Sequence, residues 1–167
     1  MSARAPLIAA LVALALPAGA APTDHYIGVV LGSAHVGTAD LNNVNPGLTY
    51  GVAWPTANPR RVWFVEGGVF YNSYREVSPL LVVGTAWDLG RLGPARMRLG
   101  VEAGTACYRK LSVELQRDYG IPNLAGFIPI VGLTLTAELG QTELRLTTVP
   151  AGQNVRAIVN LSLARHF

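Results

Sequence analysis

Three histidines lie beyond residue 20, at His25, His35 and His166. His35 closes an apolar-rich segment, "HYIGVVLGSAHV", and a second such segment, "RVWFVEGGVFYNS", closes on Asn72 and Ser73. A histidine within reach of a hydroxyl is the minimum equipment for general-base chemistry at an ester or a hydroxyl. These residues become neighbours if both segments are strands ending at the same edge of one sheet. Any such edge collects polar residues, so a purely structural role stays open at this point. Alternation in the first segment does not settle which way His35 points. Cys107 is a lone cysteine, which excludes a disulfide framework and a cysteine metal cluster. No metal or cofactor motif is present.

The elements that would position His35 and Ser73 can be read from the ends of the chain inward. The chain closes on "VNLSLARHF". Val159, Leu161, Leu163 and Phe167 share one parity, broken only by Arg165. Ile158, Asn160, Ser162, Ala164 and His166 share the other. That is the period of a strand with one apolar face. A final strand ending on Phe is the form that closes an outer-membrane barrel and that the barrel-assembly machinery reads. The opening, "MSARAPLIAALVALALPAGA", has one charge at Arg4, an apolar run from Leu7 to Leu16, a break at Pro17 and a small-residue site at Ala18 to Ala20. Residues 1–20 read as a secretory signal peptide cleaved after Ala20, because the run is too short to span a bilayer. Residues 21–167 then form one domain.

Half of the residues are apolar and 14% are charged, and the mean hydropathy is positive. Thirteen Lys plus Arg stand against ten Asp plus Glu. Without Arg4 that leaves twelve against ten, about +2, with no basic run, so nucleic acid is not indicated. No apolar stretch beyond the leader is long enough for a membrane helix. An exported, apolar chain of this kind can sit in a bilayer as a closed barrel, where every amide pairs between strands.

Turn residues divide the chain into eight strand-like segments: 25–36, 47–54, 61–73, 77–89, 95–108, 124–139, 142–149 and 154–167. The expectation is an all-β, eight-stranded antiparallel transmembrane β-barrel of outer-membrane type, monomeric. Short turns follow the even strands; the longer connections, 37–46 and a polar loop over 108–123, fall at the other end, outside the cell. Alternation turns Phe64, Glu66, Gly68 and Phe70 inward on the third strand, Arg98, Gly100, Glu102 and Gly104 on the fifth, and Glu143 and Arg145 on the seventh. Glu66, Glu102, Arg98 and Arg145 would form a buried polar plug near the short turns, because unpaired charges there would each cost several kcal/mol. The outer half of the lumen would be small and apolar, either filled by side chains or hollow enough for an acyl chain.

The stretch "YNSYREVSPLLVVG" resembles the PagP-type lipid A palmitoyltransferases, which carry a catalytic Asp-Ser pair followed by a Pro and a Gly. Asn72-Ser73, Pro79 and Gly84 fall at those distances. "HYIGVVLGSAH" is similar to the family's first strand, ending on its catalytic His, which corresponds to His35. "NNVNPGLTYG", "FIPIVGLTL" and the stretch from Pro150 to Phe167 match in order and spacing. The resemblance implies transfer of a fatty acyl chain from a phospholipid to lipid A, without a cofactor. His35 would be the base, Ser73 would position or stabilise the reacting ester, and Asn72 would stand beside them. Gly84 would set the depth of an acyl pocket lined by Phe70 and Gly68, and Pro150 would mark a place of lipid access. Three departures stand out: Asn72 replaces the family's Asp, only "APTD" precedes the first strand where the family has an amphipathic helix, and Gly28 replaces a Pro. The alternatives are a non-catalytic outer-membrane barrel with a structural, binding or adhesive role, and a soluble periplasmic lipid-binding barrel.

Overall fold

The structure is a computed structural model that describes residues 24–37, 41–121, 123–150 and 157–167. Residues 1–20, expected to form a leader, and the start assigned to the last strand, 154–156, lie outside the described residues. Eight antiparallel strands close into a barrel in chain order: β1 (Asp24–Val36), β2 (Gly47–Pro55), β3 (Arg61–Tyr71), β4 (Val77–Leu92), β5 (Ala95–Cys107), β6 (Phe127–Leu139), β7 (Thr142–Pro150) and β8 (Ala157–His166). β1 pairs with β8 from Tyr26 opposite His166 to Val36 opposite Ala157. Phe167 finishes that seam by donating its N–H to the carbonyl of His25 at 2.9 Å.

Period-two patterning decides the two faces. Leu99, Val101, Leu144, Leu146 and Leu163 stand exposed on the outer wall, whereas Gly100, Glu143, Arg145, Ala164 and His166 are buried inside. Large inward rings are accommodated by glycines on neighbouring strands: Tyr26 lies over Gly51 and Phe64 over Gly84, where a Cβ would collide with the ring. A narrow barrel fills its bore in this way, alternating large against absent side chains.

The polar plug differs from the sequence expectation in its membership. Arg145 binds Glu66 at 2.6 Å and Glu143 at 2.7 Å, and its guanidinium sits 5.2 Å from the Tyr26 ring centroid and 5.6 Å from that of Phe64. Glu143 joins because it precedes Arg145 by two residues and so shares its inward row. Arg98 leaves the group. It pairs at 2.9 Å with Glu138, the diagonal neighbour of its cross-strand partner Thr136. Four residues, roughly 13 Å of strand, separate it from Glu102. Glu102 has no ion-pair partner among the described residues and faces an open space in the lumen.

Two irregularities matter for the site. The β1–β8 register jumps between Val30 and Gly32. Leu31 is the extra residue of this β-bulge, and inward parity passes from even numbers before it to odd numbers after it. The second irregularity lies in the connection after β5. Where a polar loop was expected, the chain forms an amphipathic helix, α1 (Arg109–Tyr119). Leu111 and Leu115, one turn apart on it, line one cavity with His35 and Ser73, and Gly120, left-handed with φ 65°, caps its end.

Candidate active site

The bulge turns His35 into the barrel mouth. Gly32 to Val36 have β8 as their strand partner, and β1–β2 pairing ends at Val30 opposite Gly47. In place of β2, the loop 41–46 lies against this part of β1: Ser33 N–H donates to the Asn43 carbonyl at 2.9 Å. The same loop reaches β3, with Tyr71 N–H on the Pro46 carbonyl at 2.9 Å and Asn42 N–H on the Ser73 carbonyl at 3.4 Å. Loop 41–46 therefore stitches the ends of β1 and β3 together, which puts His35 beside Ser73.

The contacts are direct. His35 Nε2 lies 2.7 Å from Ser73 Oγ, and His35 Nδ1 lies 2.7 Å from Asn43 Oδ1. A carboxamide oxygen only accepts, so Nδ1 carries the proton and Nε2 presents its lone pair to the serine hydroxyl. Ser73 Oγ–H thus donates to Nε2, in the manner of a nucleophile–base–orienter relay. Ser73 is buried at 8% exposure. Asn45, buried at 2%, completes the cluster. Its Oδ1 accepts from Ser33 Oγ–H, and its Nδ2 donates to the Tyr71 carbonyl at 3.0 Å and points at Ser73 Oγ from 3.5 Å.

Asn72 is brought next to Ser73 by the chain but not next to His35. Its Oδ1 accepts the N–H groups of Tyr74 and Glu76 at 2.9 and 3.0 Å, and its Nδ2 donates to Ser78 Oγ at 3.1 Å. These bonds fold the tight connection between β3 and β4, with Arg75 at φ 61°, and so hold Ser73 in place. The residue that orients the imidazole is Asn43, which sequence reasoning missed. The signal was the asparagine density of "NNVNPG": a turn needs Pro-Gly and one Asn, and this loop spends Asn42 on its own backbone, Asn43 on His35 and Asn45 on Ser73.

The pair opens onto a cavity of about 230 Å³ that Leu111 and Leu115 of α1 help to line. This cavity is lined from both faces of the wall. Among the described residues β6–β7 pairing stops at Leu133 opposite Thr148. Beyond it β6 continues from Phe127 to Gly132 bonded to β5, and Val149 and Pro150 are bonded to β8. The slit between them carries Pro129 and Pro150, neither of which has an N–H to give to a ladder. Inward Ile128, Ile130 and Ile158 and outward Pro129 and Val131 line the same cavity. Below it a second cavity of about 110 Å³ reaches Glu66, Glu102 and Arg145, and the two share Tyr108, Ile130, Val149 and Ile158. Phe70 and Tyr108 pack edge to face at 6.0 Å, and Tyr108 meets Tyr74 at 6.2 Å. Burial pushes the phenols of Tyr108 and Tyr74 above their ordinary range, so both remain neutral hydrogen-bond donors.

No family model matches the chain, and no curated protein matches it. Of the residues expected to bind substrate, Phe70 lines the lower cavity and Pro150 the upper one. Gly68 packs against Thr49 of β2, and the Phe64 ring covers Gly84. The floor of the open space is therefore the layer of Glu66, Glu102 and Arg145. No group of three or more His, Cys, Asp or Glu among the described residues is placed to hold a metal ion.

Proposed function

We propose that this protein is an outer-membrane acyltransferase that moves a fatty acyl chain from a phospholipid to a hydroxyl of lipid A. The observation that carries the reading is the His35–Ser73 pair facing a cavity lined by residues of both the inner and the outer face of the wall. A lipid tail can pass sideways through the Pro129–Pro150 slit without its headgroup leaving the surface. Its ester then lies at the level of His35 and Ser73. His35 acts as the base, and the apolar lining keeps water from competing with the acceptor hydroxyl.

A lipid surround is supported by the wall itself. Exposed Ile27, Val29, Leu48, Val69, Leu81, Leu99, Val101, Leu133 and Leu146 belong to seven of the eight strands, more contiguous apolar surface than a water-soluble monomer ordinarily shows. The strands run from 9 to 16 residues, enough for a tilted strand to cross a bilayer. Near the short turns Arg61 stacks between Trp63 and Trp87 at 4.8 and 5.3 Å, and Tyr50, His25 and Phe167 cluster nearby, as in an interfacial aromatic girdle.

The second reading is a barrel that binds lipid without turnover. It is favoured by one observation, that the partner of His35 is an amide rather than a carboxylate, which orients an imidazole but does not neutralise an imidazolium. Mass spectrometry of lipid A decides between them. A host expressing the wild-type chain should show lipid A heavier by one acyl group, absent with Ser73→Ala. An identical spectrum from both hosts would reject the acyltransferase.

A further inference from the structure

We infer that Ser73 is a covalent nucleophile that carries the acyl group between donor and acceptor, with Asn43 positioning the base and Asn45 stabilising the oxyanion. The inference rests on the acyl-transfer reading and fixes its chemical course.

The first support is the wiring of His35. A direct transfer from lipid to lipid requires the imidazole lone pair to take the proton of the acceptor hydroxyl. That lone pair is occupied: Nε2 accepts from Ser73 Oγ–H at 2.7 Å, and Nδ1 is held by Asn43. The proton that His35 removes first is therefore the serine's. The second support is Asn45. A buried carboxamide with Oδ1 fixed by Ser33 and one Nδ2 hydrogen fixed by Tyr71 has one hydrogen left, and it points toward Ser73 Oγ from 3.5 Å. That separation is long for a bond to the hydroxyl and leaves room for a second oxygen on a carbon attached to Oγ. The third support is size. A cavity of about 230 Å³ suits one chain at a time, and a covalent relay lets the donor leave before the acceptor arrives.

The steps balance as follows. Ser73 Oγ attacks the ester carbonyl of the phospholipid, its proton passes to His35 Nε2, and the Oγ–C bond forms. The tetrahedral oxyanion takes the free Asn45 hydrogen. The C–O bond to the glycerol oxygen breaks, and that oxygen takes the proton from Nε2, giving lysophospholipid and acyl-Ser73. The acceptor hydroxyl then gives its proton to Nε2 and attacks the same carbonyl. Ser73 Oγ leaves, recovers the proton and is restored.

The test uses the full chain in detergent micelles and a long-chain alkyl fluorophosphonate, followed by intact-mass and peptide analysis. Wild type should gain one phosphonyl group on Ser73, lost with Ser73→Ala and His35→Ala. Asn45→Ala and the equally sized Asn45→Asp should slow labelling by about 100-fold, the cost of one oxyanion donor. Asn43→Ala should slow it tenfold or more, whereas Asn43→Asp should label at least as fast as wild type, a rescue that a merely structural role would not give. Heat-dependent gel mobility confirms that each variant compared is folded. In a second arm, phosphatidylcholine vesicles without acceptor are quenched in acid, and the Ser73 peptide should carry an acyl mass. A folded wild type that gains neither adduct while lipid A is still acylated overturns the covalent course and leaves the proposed function standing. An adduct on Ser73 with unchanged lipid A keeps the nucleophile and rejects the acceptor.

Discussion

Arg145 is the cation that holds the lumen together, and removing it tests the interior as described. Its side chain is 11% exposed and those of Glu66 and Glu143 are 12% and 4% exposed. Arg145→Met keeps the length of the side chain and its contact with Tyr26 and Phe64, but strips buried Glu66 of its ion-pair partner and leaves Glu143 with His166 Nε2, 3.6 Å away. Breaking a buried pair by deleting one partner costs about 3–5 kcal/mol. For a chain of this size that is roughly 6–20 °C in Tm. The compensated variant Glu66→Gln, Glu143→Gln, Arg145→Met removes all three charges and should recover most of the loss, because replacing a whole buried ion set by neutral groups is close to neutral. Glu102→Gln should fall within about 0.5 kcal/mol of wild type, because among the described residues no guanidinium lies at ion-pair distance from Glu102 and neutralising it strands no other charge. Guanidinium titrations in micelles, followed by tryptophan fluorescence and gel mobility, give the four midpoints. If Arg145→Met costs less than about 1 kcal/mol, or Glu102→Gln costs as much as Arg145→Met, the pairing is not the one that stabilises the bore.

Two more expectations follow from the mouth of the barrel. Cysteines at positions 131 and 150, which an extended β6–β7 ladder would set opposite each other, should on oxidation close the slit and stop lipid A acylation, with recovery on adding reductant; full activity with the bridge formed would show that lipid reaches the site by another path. Asn72→Ala should destabilise by about 1–3 kcal/mol, since two backbone N–H groups lose their acceptor, and should weaken acylation through loss of the β3–β4 connection; an unchanged unfolding midpoint would contradict the role given to its carboxamide.

The architecture was legible because alternation and turn chemistry are local signals. Outward Leu144 and Leu146 against inward Glu143 and Arg145 can be read from four consecutive letters, and the closing strand likewise. What escaped was non-local or depended on a single extra residue. The direction of His35 hinges on Leu31 being unpaired against β8, which no periodicity in β1 announces. Asn72 sat next to Ser73 in the chain and so drew attention, while Asn43, eight residues from His35, did the orienting across a loop. The helix α1 was hidden because only Leu111 and Leu115 mark its cavity side amid charges, although Gly120 followed by Pro122 is a stop signal. Gly84 was expected at an open pocket; which ring would lie across it depended on the β3–β4 register that sets Phe64 opposite it.

The residues around His35 lean on the opposite end of the polypeptide: from Gly32 to Val36, β1 has β8 as its strand partner, and His35 sits across from Ile158. The imidazole is consequently aimed only once the first and final strands have met, an event that long-range contact makes late. The contact of His35 with Ser73 is thus withheld from a half-built cylinder and arrives together with the last seam.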